Sequence, residues 1–274
     1  MTLPPPLVPP GSALTPPTLV VPTLTKPTGD PERVALWENV RDAIFALPTY
    51  FASKLTIQEI LATDLHTFNG SLGATIEAQL TDALDVLRHV WDPDRKYSLY
   101  RFERQSQQFP DVVLRTTSPG LDPTPLLGIE LKGWYVLAKE RVPSARFSVT
   151  PAVCSPFDLL VIVPWALDAV ISGSPKLFPP YVVNAADAAR YRNYWWEYVR
   201  TNAGTDPTIT LSTVGHFYPK KSDPIADVPA YDGGDNFGRY ARTDAMDAYI
   251  AELFTEELSG IPLDAWQRFL KKYS

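Results

Sequence analysis

Residues 109–115 read FPDVVLR and residues 126–140 read LLGIELKGWYVLAKE, and the polar positions inside these two apolar segments decide how the chain is read. In the second, Leu127, Ile129 and Leu131 alternate with Gly128, Glu130 and Lys132. A strand has a side-chain period of two, so the apolar residues fall on one face and Glu130 and Lys132 together on the other. In the first, Asp111 opens a run of Val112, Val113 and Leu114, all apolar, as expected of a strand covered on both faces. If the two segments pair through the proline-bearing turn at 116–125, Asp111 lies beside Glu130 and Lys132. Two carboxylates and an ammonium then meet within a few ångströms.

Two hard carboxylate oxygens, helped by a backbone carbonyl such as that of Leu131, are what Mg²⁺ prefers, with water and substrate phosphate completing an octahedron. An ion held there can lower the pKa of a bound water, polarise a phosphodiester and stabilise its leaving oxygen. A lysine amine beside that water orients it or stabilises developing charge. The plainer alternative is a solvated strand face with an ordinary Glu-Lys pair, which the apolar surroundings disfavour.

Working outward, Asp30 can cap a helix that Pro31 begins, and Val34, Leu36, Trp37, Val40, Ala43, Ile44 and Leu47 repeat at helical spacing until Pro48. A second helix is expected over Ile57 to Ala62. A third spans Leu72 to Val90, with Leu72, Ile76, Leu80, Ala83, Leu84 and Leu87 as one apolar stripe. After Pro93 come strand-like pieces at Tyr97 to Glu103, Pro110 to Arg115, Leu126 to Trp134, Arg146 to Val149 and Asp158 to Trp165. Asp158 reads as a strand-end residue. A helix over Ala185 to Arg200, a short strand near Thr208 to Thr213, a polar loop from Pro219 to Arg242 and a terminal helix around Asp244 to Leu258 complete the reading. Helices, then a central mixed sheet, then helices make an α/β (α+β) domain over residues 30–274. Ten of the 28 prolines lie between Pro4 and Pro31, so residues 1–29 form a proline-rich arm, either a disordered tail or an extended segment on a partner or on its own domain.

Pro110-Asp111 followed by Glu130-Leu131-Lys132 resembles the P-D, then D/E-x-K, signature of the PD-(D/E)xK nuclease superfamily, which includes many type II restriction endonucleases. Eighteen residues separate Asp111 from Glu130, and that spacing, the hairpin and the flanking apolar strands agree with the family core over roughly residues 72 to 165. The resemblance implies a restriction-endonuclease-like core in which Asp111 and Glu130 ligate Mg²⁺ and Lys132 assists the attacking water. A helix before the sheet often supplies another acid in this family. Glu77 is the candidate here, about 75° from the centre of its apolar stripe; otherwise it is a partly solvated surface residue. The implied activity is endonucleolytic hydrolysis of double-stranded DNA, most simply in restriction, with a homodimer to cut both strands and a cognate DNA methyltransferase encoded nearby. A structure-specific repair or recombination nuclease and a non-catalytic DNA-binding scaffold are the alternatives.

Composition narrows the classes further. The 274 residues carry 25 Lys+Arg against 31 Asp+Glu and are 45% hydrophobic, which fits a globular chain and argues against one that coats nucleic acid nonspecifically. The single Cys154 excludes an internal disulfide framework and a cysteine-rich zinc site, and fits a reducing, cytoplasmic setting. The longest apolar stretch, Leu159 to Leu167, contains Pro164 and is too short to span a membrane, and the N-terminus has no basic region leading into an apolar one. His66, His89 and His216 show no zinc-ligand spacing, and there is no G-x-S-x-G elbow or Walker A lysine.

Candidate DNA contacts are Arg104, next to Gln105, Gln107 and Gln108, then Lys139, and then Lys220, Lys221, Arg239 and Arg242 in the long polar loop. Arg141, Arg146, Arg190, Arg192 and Arg200 add positive charge. The Tyr191, Tyr194, Trp195, Trp196 and Tyr198 run covers nearly every helical direction, which marks a buried or interface helix more than a base-stacking platform.

Overall fold

The computed structural model describes residues 20–58, 65–234 and 236–273, with side chains left out for 65–71 and 273. Helix α1 spans Pro31–Tyr50, and the Asp30 carboxylate accepts the Glu32 N–H at 3.1 Å as its cap. Pro48 lies inside it. The proline removes one N–H, yet the Phe51 N–H still reaches the Leu47 carbonyl at 2.8 Å, so the last turn closes. Helix α2 spans Leu65–Val86, beginning seven residues before the expected start, so Gly70 lies inside it. The chain breaks at Leu87 and resumes as α3, Arg88–Trp91. Ile57 is extended, exchanging backbone hydrogen bonds with Gly173, so the expected second helix does not begin there; residues 59–62 lie outside the described residues.

The central sheet is mixed. Strands β1 (Tyr100–Arg104), β2 (Val112–Thr116) and β3 (Leu127–Tyr135) form an antiparallel meander, and β4 (Leu159–Leu167) joins β3 in parallel, from Ile129↔Leu159 to Tyr135↔Trp165. All nine residues of β4 are buried, as a strand covered on both faces requires. Its outer edge pairs with two short antiparallel pieces, β5 (Pro175–Leu177) and β6 (Tyr181–Asn184). The register shifts by one residue between them, a bulge at Phe178-Pro179-Pro180. There the Phe178 N–H donates to the Pro164 carbonyl at 2.9 Å, so Pro164, which has no N–H, meets the irregularity on the outer edge of β4 while keeping its place opposite Trp134 in the β3 ladder.

Helix α4 (Ala185–Asn202) follows, then the small pair β7 (Ile209–Thr210) and β8 (Val228–Pro229). The expected terminal helix is shorter and starts later, as α5 (Asp247–Leu253). Ser259 and Gly260, with φ of 54° and 74°, then turn the hairpin of β9 (Glu257–Leu258) and β10 (Ile261–Pro262) into a further helix, α6 (Leu263–Tyr273). Residues 146–149 form isolated bridges, Arg146↔Arg239 and Val149↔Ala226, instead of a strand.

Of the arm, residues 20–29 lie extended on the chain's own domain. Pro27 is buried, Leu24 packs on the core, and the Thr25 N–H donates to Asn184 Oδ1 at 2.8 Å. One apolar core runs through α1, α2, the sheet and α4 to α6. Among the described residues no helix is long and apolar enough to cross a membrane.

Candidate active site

The site forms where β3 outruns β2. Their ladder ends at Val112↔Ile129, so from Glu130 onward the β2-facing backbone of β3 has no strand beside it. Asp111, one residue before β2, fills the gap with its side chain, and its Oδ2 accepts the Leu131 N–H at 3.0 Å. The Asp111 carbonyl is held from the other side by the Gln105 N–H at 2.7 Å. Alternation along β3 puts Gly128, Glu130 and Lys132 on one face, and the Lys132 ammonium bridges the two carboxylates, 2.7 Å from Glu130 Oε1 and 3.0 Å from Asp111 Oδ2. Glu77 arrives from α2. Its Oε1 accepts the Gly133 N–H at 2.8 Å, one residue beyond Lys132.

One glycine makes room for this. A Cβ on Gly128 would fall 2.3 Å from Pro110 Cγ and 2.9 Å from Asp158 Oδ1, so only a bare backbone lets Pro110 lie on the strand and deliver Asp111. Gly128→Ala forces apart a proline ring and a buried carboxylate, neither of which can swing away. The expected loss is about 1–3 kcal/mol of unfolding free energy, read from urea denaturation.

The charges act on one another. Burial pushes the Glu130 carboxyl up to about 7, the Asp111 charge adds to this, and the Lys132 ammonium and the Asp111 N–H oppose it. Burial alone would lower Lys132, but Glu130 and Asp111 more than offset it and hold the ammonium above the usual lysine range. Burial also raises Glu77, against the Gly133 N–H, Lys132 and Arg104.

Asp111 and Glu130 offer two carboxylates at one spot, while among the described residues no group of three or more His, Cys, Asp or Glu side chains could hold a metal ion. That donor set suits an ion that keeps several waters and takes one or two carboxylates plus phosphate, which is the habit of Mg²⁺, and not one that needs an all-protein cage. The Leu131 carbonyl shares the β2-facing edge with its N–H and is the backbone oxygen nearest in position along the strand.

The four acid-base candidates therefore converge. The expected DNA contacts divide. Arg104 is exposed at the end of β1 and close enough to Glu77 to affect its charge. Lys139, Lys220 and Lys221 are exposed and have no ion-pair partner among the described residues. Arg242 is engaged by Asn236 and by Glu140 at 3.4 Å, and Arg239 bridges to Arg146 through the backbone. Of the α4 residues, Tyr191, Arg192 and Trp196 are buried, so that helix is packed rather than presented. Asp158, read as a strand-end residue, is fully buried and accepts the N–H groups of Gly128 and Ser155 at 2.8 and 2.7 Å and the Tyr218 hydroxyl at 3.1 Å. A lone aspartate before an apolar strand carries no sequence sign of that. Compared with family models, with curated proteins and with solved structures, the chain matches none.

Proposed function

We propose that the chain is a Mg²⁺-dependent DNA endonuclease of PD-(D/E)xK type, serving as a type II restriction enzyme and acting as a homodimer on double-stranded DNA. The observation that carries the reading is the Lys132 ammonium held between Asp111 and Glu130 at the end of a mixed sheet. Asp111 and Glu130, with the Leu131 carbonyl, would hold the ion, which would lower the pKa of water and neutralise charge on the phosphodiester. Lys132 stays protonated at neutral pH, so its part is that of a donor. It orients the attacking water and stabilises charge developing on the phosphate oxygens. Glu77, its carboxyl raised by burial and its Oε1 on the Gly133 N–H next to Lys132, would take up a proton from that water.

Metal binding should depend on pH with a definite sign. Below about 7 Glu130 is protonated and the ion must displace that proton; above it the carboxylate is already charged. Calorimetry should show Mg²⁺ affinity rising up to about tenfold per pH unit from pH 5 to 7 and levelling beyond, a dependence absent in Glu130→Gln. The activity itself is tested by incubating unmethylated plasmid and phage DNA with the protein in Mg²⁺, beside EDTA and Lys132→Ala controls, and sequencing the product ends. Discrete fragments lost in both controls support the reading, and ends at one palindrome support the restriction role. Cleavage that follows DNA shape instead moves it to repair or recombination, and intact binding with no cleavage moves it to a scaffold.

A further inference from the structure

Between β7 and β8 the chain runs without helix or strand, yet one stretch of it is tied down at two points. The Tyr218 hydroxyl donates to Asp158 Oδ1 at 3.1 Å, and that carboxylate, fully buried, is itself fixed by the N–H groups of Gly128 and Ser155. Tyr218 holds a left-handed backbone, φ 53°, a conformation a bulky side chain adopts at a cost and only where its surroundings enforce it. The next residue, Pro219, is buried, and its carbonyl accepts Gln108 Nε2 at 2.7 Å. Gln108 lies three residues before Asp111, and Gly128 shares the β3 face that carries Glu130 and Lys132. The loop is thus fastened to both segments that build the acidic site. Immediately beyond the two anchors stand Lys220 and Lys221, exposed and without an ion-pair partner among the described residues; the Lys220 N–H is turned by Asp223 Oδ2 at 2.9 Å.

We propose that residues 216–221 form a preset rim that grips the phosphate backbone of duplex DNA at the mouth of the site, with Lys220 and Lys221 as the contacts and Tyr218 and Gln108 as positioning residues. The inference rests on the nuclease reading and deepens it. A site whose local charge is dominated by three carboxylates repels a polyanion, so cations must stand at its edge for the substrate to approach. Fixing their loop in the free protein removes from the binding step the cost of ordering it.

The test measures binding of a fluorescein-labelled duplex by anisotropy in EDTA, where no cleavage occurs, from low to physiological salt. The double variant Lys220→Ala, Lys221→Ala should weaken binding and lower the slope of log affinity against log salt by about two, one for each lost phosphate contact. Tyr218→Phe and Gln108→Ala should each weaken binding by up to about tenfold, the worth of one hydrogen bond, and leave the slope unchanged because the charges remain. A structural defect alone would not separate affinity from slope in this way, and Gln108→Ala, which leaves the Asp158 cluster intact, covers the case in which Tyr218→Phe fails to fold. Wild-type binding with an unchanged lysine double variant, or with both anchor variants binding like wild type, overturns the rim while leaving the nuclease reading in place. No wild-type binding to any duplex overturns the rim, and cleavage in Mg²⁺ decides the nuclease reading separately.

Discussion

Lys132→Met should slow DNA cleavage by about 10²–10³-fold while leaving the protein able to bind Mg²⁺ as well as or better than wild type. The two halves follow from one geometry. In the free protein the ammonium occupies Asp111 Oδ2 and Glu130 Oε1, the oxygens the metal needs, so it competes with the ion for them. Removing it leaves the carboxylates facing each other and makes a divalent cation more welcome. The same change deletes the donor that orients water and stabilises charge on the phosphate, and loss of one such preorganised donor costs on the order of 10²–10³ in rate. Asp111→Asn and Glu130→Gln should behave oppositely, losing affinity for Mg²⁺ and losing cleavage through that. Calorimetric Mg²⁺ titration beside single-turnover cleavage separates the two classes. Lys132→Met that cuts at the wild-type rate would remove the lysine from the chemistry, and Lys132→Met that no longer binds Mg²⁺ would show the ammonium to be part of the metal site's architecture.

That cluster was legible in the sequence because it depends on local rules. The alternation Leu127 to Lys132 fixes which side chains share a face, and the turn at 116–125 permits the pairing that brings in Asp111. What escaped depends on partners far along the chain. Asp158 looks like any strand-end aspartate until Gly128 and Tyr218, 30 and 60 residues away, close on it. The pieces β5 and β6 hid behind Pro179-Pro180, which reads as a turn; a proline is tolerated there because the strand is an edge and the register slips at that point. Helix α6, whose Leu263, Gln267 and Leu270 are all buried, escaped because the expected terminal helix covers Asp244 to Leu258 and the β9–β10 hairpin that leads into α6 was not foreseen. The expected start of α2 is Leu72, where the apolar stripe begins, whereas the helix itself starts at Leu65, and helix propensity is a weak prior that tertiary packing overrides.

The same limit governs Arg192, which the sequence offered as one positive charge among several and the structure buries. Its guanidinium donates to Asp227 Oδ2 at 2.7 Å and to the Phe147 and Val149 carbonyls at 2.6 and 3.0 Å, with Arg192 2% exposed and Asp227 equally buried. Burial draws the guanidinium down to about 10, against the pull of Asp227, so at neutral pH it remains charged. The pair holds segment 145–150 to segment 225–240, where Thr150 N–H donates to Ile225, Asp227 N–H to Ser148 and Phe147 N–H to Gly238. Arg192→Ala should cost about 3–5 kcal/mol, because it strands the Asp227 carboxylate in the interior with, among the described residues, Asn193 Nδ2 and the Ser212 N–H left to answer it. That would be the largest stability effect of any single change considered. A paired replacement, Arg192→Met with Asp227→Leu, should recover most of the loss, since the desolvation of two charges offsets much of what their attraction contributes. Urea denaturation of the single and double variants decides the matter. A single variant within about 1 kcal/mol of wild type would mean that water reaches Asp227, and a double variant as unstable as the single would mean that the carbonyls of Phe147 and Val149, and not the charge pair, are what the loop is held by.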